Sequence, residues 1–392
     1  MKQNQQKLPA FEAGALHSKT EFAPGFFREL YVSCTKKDFD GYVTALTDAG
    51  FVLYGSNTLE KNEFRTFYGD ELMVHVYYMA NLNTVSVLTA SADVATPYPN
   101  KPAPDAPVAV PSMVLTAPNY DANGDGEYDH NNGMGIVFTL SDGSYVIVDG
   151  CYGVDAEPLY QYLTENNKRA DGIVYIRAWF LSHTDGDHTG CIRRFAADYG
   201  DKVRLEYFGT QFTGVMEPLE SIETAKQQFV GCKQLTPLTG QKMFFGDMEV
   251  DFIYTGETLY PESSSSDANA YSLVMKIPFE GQTVLLMADA AGKALCCISN
   301  HYTDTLKCDV LQLPHHGLNG FPVLYNRWRP STILFCTHAV AADERWNQGR
   351  YDNQSHLSFL KKMVDENGDP LVKNVIVADN GSFGFIPVIQ GK

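Results

Sequence analysis

The sequence predicts an α+β protein in two parts: a small α+β domain over residues 1–94, and over residues 113–392 a larger domain of layered β-sheets with helices outside them. Three observations carry that reading. The chain has 392 residues, too long for one small domain and about right for two. Six prolines (Pro97, Pro99, Pro102, Pro104, Pro107 and Pro111) fall between Ala95 and Ser112. Neither a helix nor a central strand tolerates that density, so residues 95–112 read as a semi-rigid extended linker. Beyond the linker, paired strands give way to strands alternating with helices, the order of a layered fold.

The elements follow in turn. FFRELYVS alternates as a strand. Thr35 then caps a helix from Lys36 to Ala49, and Asp38, three residues on, completes a capping box. Phe39, Tyr42, Val43 and Leu46 share one face of that helix, and Gly50 ends it. FVLYG, EFRTFYG, LMVHVYYM and TVSVLT read as successive strands. His75 lies inside an apolar strand and reads as a packed histidine. Nothing in this domain carries chemistry; docking, dimerisation or a lid over substrate are the roles open to it. After the linker, GIVFTL and YVIVDG form a hairpin through Ser141-Asp142-Gly143. A helix is expected over Glu157 to Asn166, then the buried strand IVYIRAWFLS, then helices over Gly190 to Tyr199 and Pro218 to Phe229. Strands MEVDFIYT, YSLVMKI and TVLLMA follow, then a helix over Gly292 to Asn300 and strands CDVLQLP and STILFCTH. VKNVIVAD and SFGFIPV close the chain as strands, and the Ser263 to Ser266 run reads as a solvated loop.

Composition narrows the function. Net charge is −17, from 47 acidic and 30 basic residues, and no basic patch offsets it. That field repels long nucleic acid and favours a small molecule or a short substrate. No apolar run approaches the roughly 18 residues of a membrane span. The start, MKQNQQKLPAFEAGALHSK, lacks the apolar stretch of a signal peptide, so a soluble cytoplasmic protein is expected unless a leader has been trimmed. The eight cysteines show no CxxC pair and no regular spacing; they read as reduced, buried small hydrophobes.

The chemistry concentrates in LSHTDGDHTG, residues 181–190. His183, Asp185, Asp187 and His188 follow an apolar strand, where one loop can aim several side chains at a point. Imidazole nitrogen and carboxylate oxygen are the ligands of a divalent-metal site. A polar loop that merely contains histidines would show the same residues. Other segments count against that alternative. Asp149 ends the strand YVIVDG, Asp289 ends TVLLMADA, and His315 and His316 follow CDVLQLP. Carboxylates or histidines at four strand ends of one domain are what a metal centre at a sheet edge requires.

This order resembles the metallo-β-lactamase superfamily, whose signature is HxHxDH, then a bridging Asp and a final His. Within it the chain is most similar to the branch typified by the C-terminal domain of ComEC-type competence proteins. That branch carries SHxDxDHxG, matched here by Ser182 through Gly190. Further matches are Gly133-Met134-Gly135 through Asp149-Gly150, Asn269 with Ser272-Leu273-Val274, Asp289, and Pro314-His315-His316-Gly317. The resemblance covers about residues 113–390 and leaves the N-terminal domain outside. It implies an αββα sandwich with a metal centre at one edge. His183 and Asp185 would hold a first ion. Asp187, His188 and either His315 or His316 would hold a second, with Asp289 bridging. Such ions sit about 3.5–4 Å apart and share a hydroxide that attacks the substrate. Asp187 would also orient the nucleophile, and the histidine of the 315–316 pair that is not a ligand would protonate the leaving group. Asp149 and Asn269 would support the ligands or touch substrate.

Two departures change the expected metal. Asp185 stands where the superfamily has a histidine, and no histidine lies between His188 and Asp289. Both remove nitrogen from the first site. Oxygen ligands are harder than imidazole, so the ion shifts from zinc toward manganese, magnesium or iron. One or two divalent ions (zinc, manganese or iron) are expected, with phosphodiester or other phosphoester hydrolysis as the reaction. Hydrolysis of a non-phosphate ester, thioester or lactone is the alternative, as is a metal-binding docking protein without activity. Two weaker signals remain. In DANGDGEYD, Asp121, Asn123 and Asp125 take the first, third and fifth places of a calcium loop, but Asn132 stands where its bidentate Glu belongs, and a plain turn is the competing reading. His356 precedes a helix and would touch substrate, cap the helix or lie on the surface.

Overall fold

The computed structural model describes the chain except residues 1–6, 92–96, 122, 131, 212–219, 260–266, 304–305, 350–354, 379–383 and 391–392. The Ser263 to Ser266 run and the start of the expected 218–229 helix therefore lie outside the described residues.

The N-terminal sheet has six antiparallel strands. They are β1 (Ala15–Ala23), β2 (Phe26–Val32), β3 (Val52–Leu59), β4 (Asn62–Tyr68), β5 (Leu72–Met79) and β6 (Thr84–Ser91), in the order β1-β2-β6-β5-β4-β3. β1 is an addition to the strands read from sequence. Phe22 is its one fully buried position, so alternation cannot announce it. Helix α1 (Lys36–Asp48) has the expected capping box, with Thr35 and Asp38 each bonding the other's backbone N–H, and Gly50 follows with φ of 87°. Phe39, Tyr42 and Leu46 of α1 bury against Phe67, Val74 and Val76. The opposite sheet face (Phe64, Met73, Tyr77, Met79, Leu88) packs on Ile253, Tyr254 and Tyr271 of the second part. β5 is thus covered on both faces, which explains why LMVHVYYM lacks polar alternation. His75 is buried there as expected, its ring nitrogens 2.9 Å from Thr66 Oγ1 and from the Thr239 carbonyl.

Residues 97–111 have no regular structure, as their prolines require, but they are fastened along their length. Tyr98 is buried and its carbonyl accepts from Tyr54 Oη at 2.6 Å. The N–H groups of Ala103, Val108 and Ala109 donate to the carbonyls of Gly246 and Ser141 at 2.7–2.9 Å.

The larger part is an αββα sandwich. Its first half contains β7 (Ser112–Ala117), β8 (Gly135–Thr139), β9 (Tyr145–Asp149), α2 (Ala156–Glu165), β10 (Val174–Phe180), α3 (Gly186–Tyr199), β11 (Val203–Gly209), α4 (Glu220–Gln228) and β12 (Lys233–Leu235). The second half contains β13 (Lys242–Phe245), β14 (Met248–Tyr254), β15 (Val274–Phe279), β16 (Gln282–Leu286), α5 (Gly292–His301), β17 (Val310–Gln312), α6 (Pro322–Trp328), β18 (Thr332–Phe335), α7 (Ala339–Asp343), α8 (Ser355–Lys362) and β19 (Asn374–Val377). The last strand, β20 (Gly384–Gln390), crosses back and pairs with β7. The sheet orders are β12-β11-β10-β9-β8-β7-β20 and β13-β14-β15-β16-β17-β18-β19. Between them lies an apolar core of Ile136, Phe138, Val148 and Phe180 against Phe252, Met275, Val284 and Leu286. Helices α2, α3 and α4 cover the first sheet through Leu159, Leu163, Ile192, Phe195 and Ile222. Helices α5, α6 and α8 cover the second through Leu295, Ile298, Leu324, Trp328 and Leu360. Neighbours β9 to β12 and β16 to β19 run parallel, so their carboxyl ends share an edge, the usual place for a site in an open sheet. No disulfide joins the eight cysteines, and no helix of the described residues is long and apolar enough to cross a membrane.

Candidate metal centre

Each motif leaves the carboxyl end of a parallel strand: Asp149 ends β9, His183 follows β10, Asp289 follows β16, and His315 and His316 follow β17. The local turns are tight. Asp149, Cys151, Ala288, His315 and His316 all have φ between 46° and 68°, in the left-handed region. Such non-glycine residues cost on the order of 1–3 kcal/mol each and persist where surrounding structure holds them. Gly317 continues the turn at φ of 82°, and a Cβ there would stand 2.5 Å from the Phe335 ring. One expectation needs correction. Helix α3 begins at Gly186, not Gly190, so Asp187 and His188 ride on its first turn and not in a free loop. Asp185 is the residue before that turn, and nothing in the spacing distinguished a loop end from a helix start.

Four side chains converge. The ligand atoms of Asp187, His188, Asp289 and His316 lie within 4.8 Å of one another. Asp289 Oδ2 and Asp187 Oδ2 are each 3.1 Å from His316 Nε2. Asp289 Oδ1 is 3.3 Å and Asp187 Oδ2 3.9 Å from His188 Nε2. The two Nε2 atoms are 3.4 Å apart. Tetrahedral ligands at about 2.0–2.1 Å from one ion would be separated by roughly 3.3–3.4 Å.

The outer partners determine what these atoms are. His188 Nδ1–H donates to Asp149 Oδ2 at 2.8 Å, and His316 Nδ1–H donates to the Cys336 carbonyl at 2.7 Å. Each neutral ring then turns an Nε2 lone pair inward. Asp289 Oδ1 is buried without a hydrogen bond despite the nearby imidazole. With both rings neutral, lone pairs face lone pairs at distances suited to a cation between them, so the donor set fits a divalent ion. Asp149 is itself anchored by Ser182, whose N–H and Oγ–H donate at 2.8 and 2.7 Å.

Electrostatics agree. Burial opposes ionisation of Asp187, but His316 and His188 hold its carboxyl down at about 2. Burial likewise opposes charge on Asp289, and the same two histidines keep it well below the carboxylate range. Burial disfavours charge on His188 and His316, yet Asp289 leads the carboxylates that raise both. A cation bound here would therefore compete with protons for one place.

The other expected ligands stand differently. His183 is buried, its Nδ1 3.0 Å from Ser182 Oγ and its Nε2 without a hydrogen bond. That Nε2 lies 3.5 Å from Asp185 Oδ2 and 3.9 Å from Asp289 Oδ2. Asp185 is 44% exposed, so this half is open where the other is closed. Between His315 and His316, the structure brings His316 into the group of four. His315 Nε2 is 3.7 Å from Asp289 Oδ2, and its Nδ1 faces Asn319 Nδ2 at 2.6 Å. Burial lowers its pKa, with Asp289 opposing.

Asn269 lies in a short helix before β15 with its side-chain oxygen buried and without a partner. His356 is neither a surface residue nor one of the four; it is buried with Nδ1 3.1 Å from Tyr325 Oη. Asp121, Asn123 and Asp125 form an exposed turn outside the converging group. Asp121 accepts from the N–H groups of Gly124, Asp125 and Gly126 at 2.9–3.1 Å. Sequence reasoning missed Arg345, which is buried and donates to the His316 carbonyl at 2.7 Å and to Asn132 Oδ1 at 3.0 Å. It also missed Gln211, which donates to the Ser182 carbonyl at 2.6 Å. Both come from distant segments without a motif. A cavity of about 710 Å³, lined by Tyr152, His130 and Arg194 among others, lies nearby, and charge on Asp187 and Asp289 adds to burial in raising the Tyr152 phenol.

No family model matches the chain, and neither does any curated protein. Solved structures do. The diiron β-hydroxylase CmlA from Streptomyces venezuelae is 12% identical with a TM-score of 0.39, covering 71% of this chain and 54% of that one. A point mutant of the CmlA β-hydroxylase is 12% identical with a TM-score of 0.36, covering 58% and 46%. A metallo-β-lactamase with a HARLDQ motif from Cronobacter sakazakii is 15% identical with a TM-score of 0.30, covering 61% and 86%. The chain thus spans about half the length of the hydroxylases it matches.

Proposed function

We propose that this chain is a metal-dependent hydrolase of the metallo-β-lactamase superfamily, nearest its ComEC-type branch, that cleaves a phosphodiester or related phosphoester. The observation that carries the reading is the convergence of Asp187, His188, Asp289 and His316 at a sheet edge, with both histidines oriented through Nδ1. These four would hold one ion. His183 and Asp185, with Asp289 shared, would hold a second. A bound divalent ion there supplies Lewis acidity toward the phosphoryl oxygen and lowers the pKa of water. The chain's own residues do the rest. Asp149 and the Cys336 carbonyl fix the two rings before substrate arrives, so little reorganisation remains. Asn319 donates to His315 Nδ1, which leaves the proton of that neutral ring on Nε2, pointed toward the centre. His315 is then a hydrogen-bond donor to the leaving oxygen. The three carboxylates make a hard ligand set, which supports manganese or iron over zinc and phosphate over lactam chemistry. The charge of −17 supports a small or short substrate.

Hydrolysis of bis(4-nitrophenyl) phosphate is the test, run with manganese, iron and zinc. Manganese-supported turnover, lost in His316→Ala and Asp187→Asn, is expected. Absence of phosphoesterase activity together with clear thioester or lactone hydrolysis would overturn the substrate class. One observation favours a second reading, a metal-binding protein without activity: the His183–Asp185 half is open. A His183→Ala variant that keeps its metal and a stable partner, with no hydrolysis by the parent, would select that reading.

A further inference from the structure

We propose that the cavity of about 710 Å³ beside α3 binds a neutral saccharide of one or two pyranose rings. Three segments wall it: His130, the stretch after β9 from Tyr152 to Glu157, and the end of α3 from Arg194 to Tyr199. Its aromatic rings are each fixed against a second ring. His130 and Tyr152 stack with centres 4.0 Å apart and planes 12° from parallel. Tyr199 stacks on Tyr160 at 4.1 Å and 5°. A ring already held in place loses little freedom when a ligand settles against it. Charged groups accompany the rings. Glu157 and Asp198 supply carboxylate acceptors, and Arg194 supplies guanidinium donors. Burial raises the Tyr199 phenol, and Glu157 and then Asp198 add to it while Arg194 opposes, so all three charges act on that one ring. Arg194 Nε pairs with Asp198 Oδ2, and Lys202 Nζ stands 4.8 Å from the Tyr199 ring centre. Two carboxylates are thus balanced by two cations.

That balance sets the ligand's charge. An anion would meet both carboxylates, and a cation would meet Arg194 and Lys202. A pyranose is neutral and two-sided. Its C–H face lies flat on an aromatic ring, and its rim of hydroxyls both donates and accepts. Neighbouring hydroxyls donate to a carboxylate and accept from a guanidinium in charge-assisted bonds. A nucleobase would use the rings but few of these groups. At about 30 Å³ per heavy atom, the share of a water molecule, the cavity holds roughly 24 heavy atoms, the size of a disaccharide. The volume is ordinary for a ligand pocket. Such binding needs neither a metal ion nor hydrolysis.

Titrations of the full chain followed by saturation-transfer difference NMR test this with cellobiose, maltose and N,N′-diacetylchitobiose. Adenosine and choline are run beside them as an aromatic base and an organic cation, and each titration is repeated after chelation. At least one disaccharide is expected to bind, with and without metal, and to receive most saturation at its ring C–H protons. Tyr199→Ala should abolish that binding. Glu157→Ala should weaken it about tenfold, as loss of a hydrogen bond to a charged group does. Glu157 is exposed, so its variant decides the matter if Tyr199→Ala does not fold. No binding of any of the three sugars, or binding that Glu157→Ala leaves undiminished, would overturn the proposal. So would binding that vanishes on chelation, and so would adenosine or choline binding more tightly than every sugar.

Discussion

Asp149 shows how one residue can act through another. It stands at the end of β9 with φ of 57° and gives one carboxylate oxygen to His188 and both to Ser182. Asp149→Asn keeps the shape but puts an amide beside an imidazole N–H. Metal affinity should fall about 10–100-fold, as for other outer partners of histidine ligands, and equilibrium dialysis with metal analysis would measure it. Unchanged affinity would remove Asp149 from the account. Asp185 makes the complementary prediction. Its carboxylate lies 3.5 Å from His183 Nε2 at an exposed position. Asp185→His restores the nitrogen that the superfamily pattern carries there, so the zinc content per chain after loading with equal zinc and manganese should rise relative to the parent. The candidate ligand types were legible in LSHTDGDHTG and PHHG because the capacity to ligate belongs to side-chain identity. The choice between His315 and His316 was not, because it depends on three consecutive left-handed residues that aim the second ring inward.

At the scale of elements, capping chemistry was readable and helix starts inside a motif were not. Thr35 and Asp38 announced α1, and the bonds are present. Thr35→Ala should lower stability by about 1 kcal/mol in a denaturant titration. Helix α3 is the contrary case. It starts four residues before the expected Gly190 because Gly186 and Asp187 already turn helically. Gly190 has a packing role: a Cβ there would lie 3.0 Å from the Cys151 carbonyl oxygen, the Gly153 nitrogen and Tyr152 Cα. Backbone cannot yield as a side chain can. Gly190→Val should push α3 off the β9 end, costing on the order of 1–3 kcal/mol and loosening metal. Metal retained at full occupancy in that variant would show the helix position to be immaterial. Strands β1, β7, β11, β12 and β13 escaped sequence reading. Some are short, and β1 is half exposed, so burial leaves little period-2 signal.

At the scale of the whole molecule, the N-terminal sheet and the sandwich share apolar contacts, and buried histidines lie along that junction. Burial lowers His75 to about 4, and it lowers His301 to about 4 as well, against 6.5 for a free imidazole. The unfolded chain then binds protons that the fold refuses. The contribution is complete above about pH 6.5 and is lost as pH falls toward 4. Calorimetric Tm should be flat above pH 7 and decline below 6.5, less steeply in His75→Gln; a Tm constant from pH 7 to 5 would contradict it.

The sequence by itself determined the α+β class, the sandwich's strand–helix alternation, the buried face of α1, and the residue types of the candidate metal centre. Those follow from local periodicity, capping and side-chain chemistry, all of which act over a few residues. Tertiary structure alone decided which histidine joins Asp187, His188 and Asp289, and how Arg345 and Gln211 reach that region. It alone placed β20 beside β7 and brought His130 and Tyr199 to one cavity. These are contacts between segments far apart in the chain. They are selected by burial and by pairing every buried polar group, conditions that no short stretch of sequence can state.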